Sequence, residues 1–372
     1  MRQPSSEILN MISHFRRPLG PRLAALACGA LLTFASPTDA DAAASETREL
    51  VLLNWADYID PEVMAEFEQR FDAKVKEVYF DTDQARDRLM VRNDGQGYDL
   101  AIVDGVTLES YRKRGWIAPL NESRLPNLRH IEPRWRDAHR AAADHAVPYF
   151  WGTLGIAYRS DLVPEAMTSW GHLFRPPENM RGRISMIRDA TDLASMALLA
   201  LGHSPNSADP AELDEAEALL IAQRPYVRNY SYSSVALVEE SALVSGEIWA
   251  AAMYNGDALV LQEHDENIEY AVPDEGTILW VDYLAVLQSS RNKDLAFEFI
   301  NFLNEPEIAA RQAQHLYYPT PNHAAERFLP AEFLEDDLIY PEERIIQKSA
   351  FYAELSPRAV RRRASILTHL GR

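Results

Sequence analysis

Short apolar runs alternate with amphipathic stretches over most of the chain, and this alternation predicts its secondary structure. Compact apolar runs are typical of buried strands, whereas apolar residues spaced three and four apart are typical of helices. Strands are predicted at Leu50–Trp55, Lys74–Phe80, Tyr98–Asp104, Arg183–Ile187 and Glu247–Tyr254. Helices are predicted after Pro61 and over about 107–114, 193–202, 294–314 and 358–372. The strand–helix–strand order at the start predicts a parallel sheet and therefore an α/β fold.

Two longer segments allow more specific structural predictions. His145–Tyr158 is a long apolar stretch interrupted by two glycines, and we expect it to run from one lobe of the molecule to another. The last helix, 358–372, is basic and carries Val360, Ile366 and Leu370. We interpret that helix as packing against a lobe rather than as a nucleic-acid-binding segment.

Residues 1–44 have the organisation of a secretory signal peptide. A basic region with three arginines precedes the apolar run Leu23–Phe34, and small residues follow it. Cleavage is expected between about Ala40 and Ser45. The apolar run is short for a transmembrane span, and no later stretch reaches its length without charges, so we expect a soluble mature protein.

The single cysteine of the chain, Cys28, lies inside that apolar run. A lipid anchor on Cys28 is an alternative to simple cleavage. However, Ala25 stands where such anchors usually have a larger aliphatic residue, and few apolar residues precede Cys28. Removal of the leader leaves a chain without cysteine, which excludes disulfides and any site built on cysteine.

The charge balance narrows the choice of partners. The chain has 37 Lys and Arg against 56 Asp and Glu, a net charge of −19. Residues 1–44 contain four basic and three acidic residues, so the remainder has 33 and 53 and a net charge of −20. This excess disfavours nucleic acid and anionic membranes and suits cationic small molecules. Solubility alone would give the same balance.

The stretch Asp274–Leu284 combines an aromatic residue with an acid in a way that suits an organic cation. Trp280 and Asp282 are two residues apart, and in a strand such residues point to the same face. An indole face attracts an ammonium ion, and a carboxylate accepts its charge-assisted hydrogen bond. The alternative is an ordinary half-buried strand in which the pair has no ligand.

The same residue types recur where other predicted strands end. Trp55, Asp57 and Tyr58 follow the first strand, and Asp257 follows the strand Glu247–Tyr254. In open α/β sheets, ligands bind at the carboxyl ends of strands. A helix-capping role for Asp57 is the alternative.

Asp189 and Asp192 follow the predicted strand Arg183–Ile187 and precede an apolar helix. Either residue is also a good helix cap, since Asp is favoured at that position. The same pair fits a glycosidase-like mechanism. However, G-x-S-x-G, P-loop, G-x-G-x-x-G and H-E-x-x-H motifs are missing from the sequence. The ten histidines also lack metal-ligand spacing, so we predict no enzyme, no cofactor and no metal.

Six segments appear in order along the chain: NWADYI at 54–59, YDL at 98–100, PYFWGTLGI at 148–156, EGTILWVDYLAV at 275–286, NFLNEPEIAA at 301–310 and YPTPNHAAERFLP at 318–330. Together they resemble the periplasmic spermidine/putrescine-binding proteins of ABC importers. The resemblance spans about residues 48–355.

The resemblance implies a type II periplasmic-binding-protein fold with two α/β lobes that close over a ligand cleft. It assigns residues 47–155 and 281–326 to the first lobe, and residues 156–280 and 327–372 to the second. It also implies a monomer in the periplasm that delivers a polyamine to an ABC transporter permease. One alternative is a polyamine sensor that passes its ligand to a membrane receptor, and a less favoured one is a secreted hydrolase.

The resemblance assigns binding roles residue by residue. The aromatic walls are Trp55, Tyr58, Tyr254, Trp280 and Tyr318. The acids are Asp57, Asp189, Asp192, Asp257 and Asp282, with Asp104 as an additional candidate. We expect the unpaired acids to repel one another and their pKa values to rise in the empty site.

Five positions depart from the pattern of the related proteins. Asp104 replaces a small hydroxyl residue, and Val106 replaces a residue that is often aromatic. Tyr254 stands where Trp is usual, and Asp192 stands where Glu is usual. Tyr352 falls roughly where the spermidine-binding branch has Gln. The preferred polyamine therefore stays open.

Overall fold

The computed structural model describes residues 47–163, 165–238 and 241–371. The predicted signal peptide and Cys28 lie outside the described residues. Within the described ranges, none of the helices is long and apolar enough to cross a bilayer.

Ten strands form one mixed sheet in the described part of the chain. They are β1 Arg48–Trp55, β2 Ala73–Phe80, β3 Leu100–Asp104, β4 Ala146–Arg159, β5 Ile184–Ser185, β6 Val227–Asn229, β7 Ala250–Tyr254, β8 Ile268–Ala271, β9 Ile278–Val286 and β10 Ala350–Phe351. Their order is β2-β1-β3-β9-β4-β7-β5-β6, with β10 beside β9 and β8 beside β4. The first strands are parallel, as predicted, while β9 runs antiparallel to both β3 and β4.

The helices cover both faces of this sheet. The first eight are α1 Pro61–Phe71, α2 Asp83–Arg92, α3 Gly105–Lys113, α4 Pro133–Arg136, α5 Ala142–His145, α6 Gly171–Phe174, α7 Ala190–Ala200 and α8 Pro210–Gln223. The others are α9 Ser233–Ala236, α10 Asn255–His264, α11 Lys293–Leu303, α12 Pro306–Leu316, α13 Ala331–Leu334, α14 Glu343–Lys348 and α15 Pro357–Leu370.

β4 connects the two lobes, which confirms the prediction for this apolar segment. Its first half, from Ala146 to Thr153, pairs with β9, and its second half pairs with β7 and β8. All but the last of its residues are buried, because sheet neighbours and helices cover both of its faces.

Each lobe has its own apolar core. In the first lobe, the rings of Phe67, Phe299 and Phe302 pack together where α1 and α11 cover β1. In the second lobe, Trp170 and Met196 lie in a separate buried cluster with residues of α7, α8 and α15. The fold is thus the two-lobed α/β architecture that was expected.

Two sequence predictions need correction. The amphipathic stretch 294–314 is not one helix, because Pro306 lacks an amide hydrogen and starts a new helix, α12, after α11 has ended at Leu303. In α15, Ile366 and Leu370 are buried against α7 and α8 as expected, but Val360 is 52% exposed.

The exact lobe boundaries stay a prediction. One observation bears on them: Leu329, Phe333 and Ile339, which follow residue 326, pack in the core of the first lobe.

Candidate functional site

The predicted pair on β9 lies where the two lobes meet. β9 begins after a turn in which Gly276 has a φ of +96°, a conformation that favours glycine. Trp280 and Asp282 share one face of the strand, as their spacing predicts. Opposite them on β4, Gly152 pairs with Trp280, and a Cβ there would lie 2.5 Å from the indole Cζ2 atom. The glycine therefore leaves the space that the indole ring fills.

The predicted aromatic residues form a connected cluster around Trp280. Its ring meets Tyr318 edge-on at 4.9 Å and Tyr254 at 6.3 Å between centroids. Tyr58 lies 6.1 Å from Tyr318. A Cβ at Gly256, at the start of α10, would overlap the Tyr318 ring, so this glycine also makes room for an aromatic wall.

Asp282 lies at the base of this cluster. The Tyr58 hydroxyl donates a hydrogen bond to its Oδ2 atom at 3.2 Å. Burial raises the pKa of Asp282 to about 6, and the negative charge of Asp104 adds to the rise while Arg86 opposes it. Trp55 packs on Phe80 with ring centroids 4.4 Å apart, and its indole lies near enough to Asp282 to lower the pKa of that carboxyl group.

Asp104 is held by the protein's own groups. Its Oδ1 atom caps α3 by accepting from the Thr107 backbone amide at 2.9 Å, and its Oδ2 atom lies 2.7 Å from Arg86 Nη2. Burial opposes ionisation, but the guanidinium and the hydrogen bonds outweigh it and hold the pKa of Asp104 below its ordinary value. Asp104 also faces Asp282 directly in the β3–β9 register.

Three neighbouring residues on α2 were missed by sequence reasoning. The Asp83 side chain is half-exposed, and the partial loss of water around its carboxyl group raises its pKa to about 7. Arg86 lowers this pKa, and the charge of Asp104 raises it further. Gln84 Nε2 donates to Asp189 Oδ2 at 3.5 Å, a contact between the two lobes. Arg86 is fully buried. The capping residue Thr82 signals this helix, but nothing in its sequence signals a buried arginine.

The second lobe contributes a carboxyl group held by tyrosines. The Tyr254 hydroxyl donates to Asp192 Oδ2 at 3.1 Å, and the Tyr352 hydroxyl donates to Oδ1. Burial, together with the charge of Asp189, raises the pKa of Asp192 to about 7. Asp189 caps α7 by accepting from the Thr191 amide at 2.7 Å, so the capping alternative applies to Asp189.

Asp257 has a similar partner. The hydroxyl of Tyr232 donates to it, and burial raises the pKa of Asp257 above its ordinary value. The same hydroxyl accepts from the Tyr254 amide at 3.2 Å, and the two tyrosine rings lie 5.5 Å apart. Tyr232 was also missed, because it lies in a polar stretch, NYSYSS, without apolar periodicity.

Asp57 stands apart from these contacts. It is exposed in the turn after β1, with a φ of +54°. It does not cap α1, because Asp60 occupies the cap position and accepts from the Glu62 amide at 2.8 Å. The helix-capping alternative for Asp57 is therefore wrong.

Together these residues form a cleft with aromatic faces and buried carboxyl groups drawn from both lobes. Three of the carboxyl groups, on Asp192, Asp257 and Asp282, have raised pKa values because burial disfavours their charged forms. A cation placed among them would restore ionisation, and the rings would contact its apolar part. This arrangement is that of a site for an organic cation.

The sequence profile described as bacterial extracellular solute-binding protein matches residues 62–340. The chain belongs to this family.

Within this family, the chain is similar to polyamine-binding proteins and to one of their crystal structures. The chain is 32% identical over 326 residues to the spermidine/putrescine-binding periplasmic protein of Salmonella typhimurium, covering 87% of this chain and 90% of that protein. It is 31% identical over 322 residues to the norspermidine sensor of Vibrio cholerae, covering 86% and 88%. The crystal structure of the spermidine/putrescine ABC transporter substrate-binding protein PotD from Streptococcus pneumoniae superposes with a TM-score of 0.79 at 28% identity, covering 87% and 98%.

Proposed function

We propose that this chain is an extracytoplasmic solute-binding protein that captures a polyamine in its interlobe cleft and delivers it to an ABC permease. The observation that carries the proposal is the pairing of Asp282 with Tyr58 and Trp280 on the cleft wall. A linear polyamine is a flexible polycation with apolar spacers. Its methylene groups fit between aromatic faces, and its ammonium groups pair with carboxylates.

The assigned ligand-contacting groups are the predicted ones other than Asp104, which pairs with Arg86, and Asp83 and Tyr232 join them. In the first lobe, Asp282 accepts from an ammonium group. In the second lobe, Asp192 and Asp257 do so. The names of the relatives support a polyamine as the ligand class, since those proteins are named for binding or sensing polyamines. We infer a binding protein without catalytic activity that works in the periplasm as a single chain.

Calorimetric titration of residues 45–372 with putrescine, cadaverine, spermidine and spermine tests this proposal. We expect at least one amine to bind with a Kd of about 10 μM or tighter, about −7 kcal/mol. Binding should weaken at higher salt because the contacts are charge pairs that ions screen. Absence of heat with all four amines would contradict the proposal.

A sensor role is the second candidate, and the similarity to the norspermidine sensor favours it. The two roles differ in the membrane partner. Stimulation of ATP hydrolysis by a reconstituted permease in the presence of amine-loaded protein supports delivery. Binding of the loaded protein to the periplasmic domain of a receptor kinase or cyclase, with no effect on a permease, supports sensing.

A further inference from the structure

Arg86 is a buried cation beside the cleft. It lies on α2 and its side chain is inaccessible to solvent. Its Nη2 atom donates to Asp104 at 2.7 Å and to the Thr107 hydroxyl at 3.2 Å. Its Nη1 atom lies 2.7 Å from Asp83, in a contact of charges without hydrogen-bond geometry. Burying a guanidinium is costly unless carboxylates compensate its charge, and here they do.

This cation acts on the carboxyl group that faces the ligand. Asp104 is the direct neighbour of Asp282 in the β3–β9 register. Asp83 projects from the first turn of α2 toward the same space, close enough for its charge to act on Asp282 and on Tyr254 of the second lobe. Arg86 therefore lies behind two carboxylates that would otherwise add their full charge to that of Asp282.

A fixed positive charge beside the cleft changes its relative affinity for ligands that carry different numbers of ammonium groups. Each ligand ammonium near Asp282 is drawn by the carboxylates and repelled by the guanidinium, and both effects are strong where water is excluded. A ligand with more ammonium groups therefore gains less binding free energy in this cleft than it would in a cleft whose carboxylates had no arginine partner. Specificity is a difference of affinities, and a repulsive group contributes to it as much as an attractive one.

We propose that Arg86 is a specificity-determining residue that supplies one cationic charge from the protein and biases the cleft toward amines with fewer ammonium groups. This inference rests on the proposed polyamine-binding function. It assigns Asp104 the role of counter-ion to Arg86 rather than that of a direct ligand contact.

The test compares the affinities of putrescine, a diamine, and spermidine, a triamine, by calorimetry at about pH 8, where the carboxyl groups of the cleft are ionised. Arg86→Met removes the guanidinium that contacts Asp83, Asp104 and, at 3.4 Å, Asp87, while keeping an unbranched side chain. We expect the affinity for spermidine relative to putrescine to rise about tenfold. In Arg86→Met/Asp104→Ser, which removes both charges and keeps a capping residue, the ratio should return to within about threefold of the wild-type ratio.

Asp104→Asn should change the spermidine-to-putrescine affinity ratio in the opposite direction. The variant should keep the fold, because Asn caps a helix as well as Asp does. The uncompensated guanidinium should then lower the relative affinity for spermidine by about tenfold. Asp104→Asn carries the test if Arg86→Met does not fold. Arg70→Gln, which breaks an exposed ion pair with Glu305, is the matched control and should leave the ratio unchanged.

The inference is overturned if the spermidine-to-putrescine affinity ratio of Asp104→Asn, and of Arg86→Met where it folds, stays within about twofold of the wild-type ratio. That result differs from failure of the proposed function, in which the wild-type protein itself binds neither amine.

Discussion

The two walls of the cleft support their carboxyl groups in different ways. On the wall of the first lobe, Asp282 has a charged network behind it, in which Arg86 is bound to Asp104. On the wall of the second lobe, Asp192 and Asp257 have no arginine beside them among the described ion pairs and accept hydrogen bonds from tyrosine hydroxyls instead. Both walls place acids where a ligand cation is expected.

The two walls show two ways in which an acidic binding site without ligand compensates the negative charge of its own carboxylates. An arginine compensates its neighbours at every pH that the protein meets, because the guanidinium does not lose its proton. A tyrosine hydroxyl stabilises a carboxylate more weakly and leaves the group free to take up a proton. Burial is the largest cause of the raised pKa at both carboxyl groups, which reaches about 6 at Asp282 and about 7 at Asp192. The pKa of Asp83 on the first wall is also raised to about 7, so we expect ligand binding at both walls to depend on pH.

Removing the charge on the first wall should have the largest effect. Asp282→Asn keeps the shape of the side chain but loses its charge-assisted hydrogen bond to an ammonium group. We expect the affinity for the preferred polyamine to fall about 100-fold, about 2.7 kcal/mol. Calorimetry measures the loss, with exposed Asp214→Asn as the control. A loss of less than about threefold would show that Asp282 does not pair with the ligand.

Closing the space behind the aromatic cluster should have the next largest effect. In Gly152→Ala the new Cβ meets the indole of Trp280, and a rigid strand on each side limits how far either can move. We expect about a thirtyfold loss of polyamine affinity, since overpacking displaces side chains from their rotamers. Gly371→Ala, whose Cβ would make ordinary contacts, is the control. Unchanged binding by Gly152→Ala would contradict the position of the indole.

The charge on the second wall should matter less and should depend on pH. The pKa of Asp192 is raised in the free protein, so the affinity that this group provides is present above about pH 7 and is lost as the pH falls through that value. We expect Asp192→Asn to weaken binding about tenfold at about pH 8 and by less than about twofold at about pH 6. An equal loss at both pH values, measured by calorimetry, would contradict the assignment.

Removing one hydroxyl from the second wall should have the smallest effect. Tyr254→Phe keeps the ring next to Trp280 and deletes the donor to Asp192. Loss of a hydrogen bond to the charged form raises the pKa of Asp192 further, so affinity at about pH 7 should fall about threefold. The change should disappear at about pH 9, where the carboxyl group is ionised in both proteins. A loss that persists there would mean that the hydroxyl contacts the ligand itself.

Much of the fold could be predicted because the spacing of apolar residues and the lengths of the apolar runs are clear in the sequence. The strand period placed Trp280 and Asp282 on one face, and the unbroken apolar run predicted the crossing strand β4. The break between α11 and α12 was missed because the apolar face continues past Pro306, although the proline itself was the available signal.

The charged residues behind the site could not be predicted from the spacing of apolar residues. A charged residue is normally solvated, so periodicity does not indicate that Arg86 is buried or that Asp104 is its partner. Asp83 and Tyr232 reach the cleft from a helix start and from a polar loop, and their positions depend on how distant segments meet. Such contacts are set by tertiary packing.

A ligand cation should ionise carboxyl groups that are partly protonated in the ligand-free protein. Proton release on binding tests this expectation directly, by calorimetry of the preferred polyamine at about pH 6.5 in two buffers with different ionisation enthalpies. We predict release of about one to two protons per bound ligand, falling toward zero at about pH 8, since the pKa values of Asp83 and Asp192 are about 7 and that of Asp282 is about 6 in the free protein. Binding without proton release at the lower pH would contradict the account.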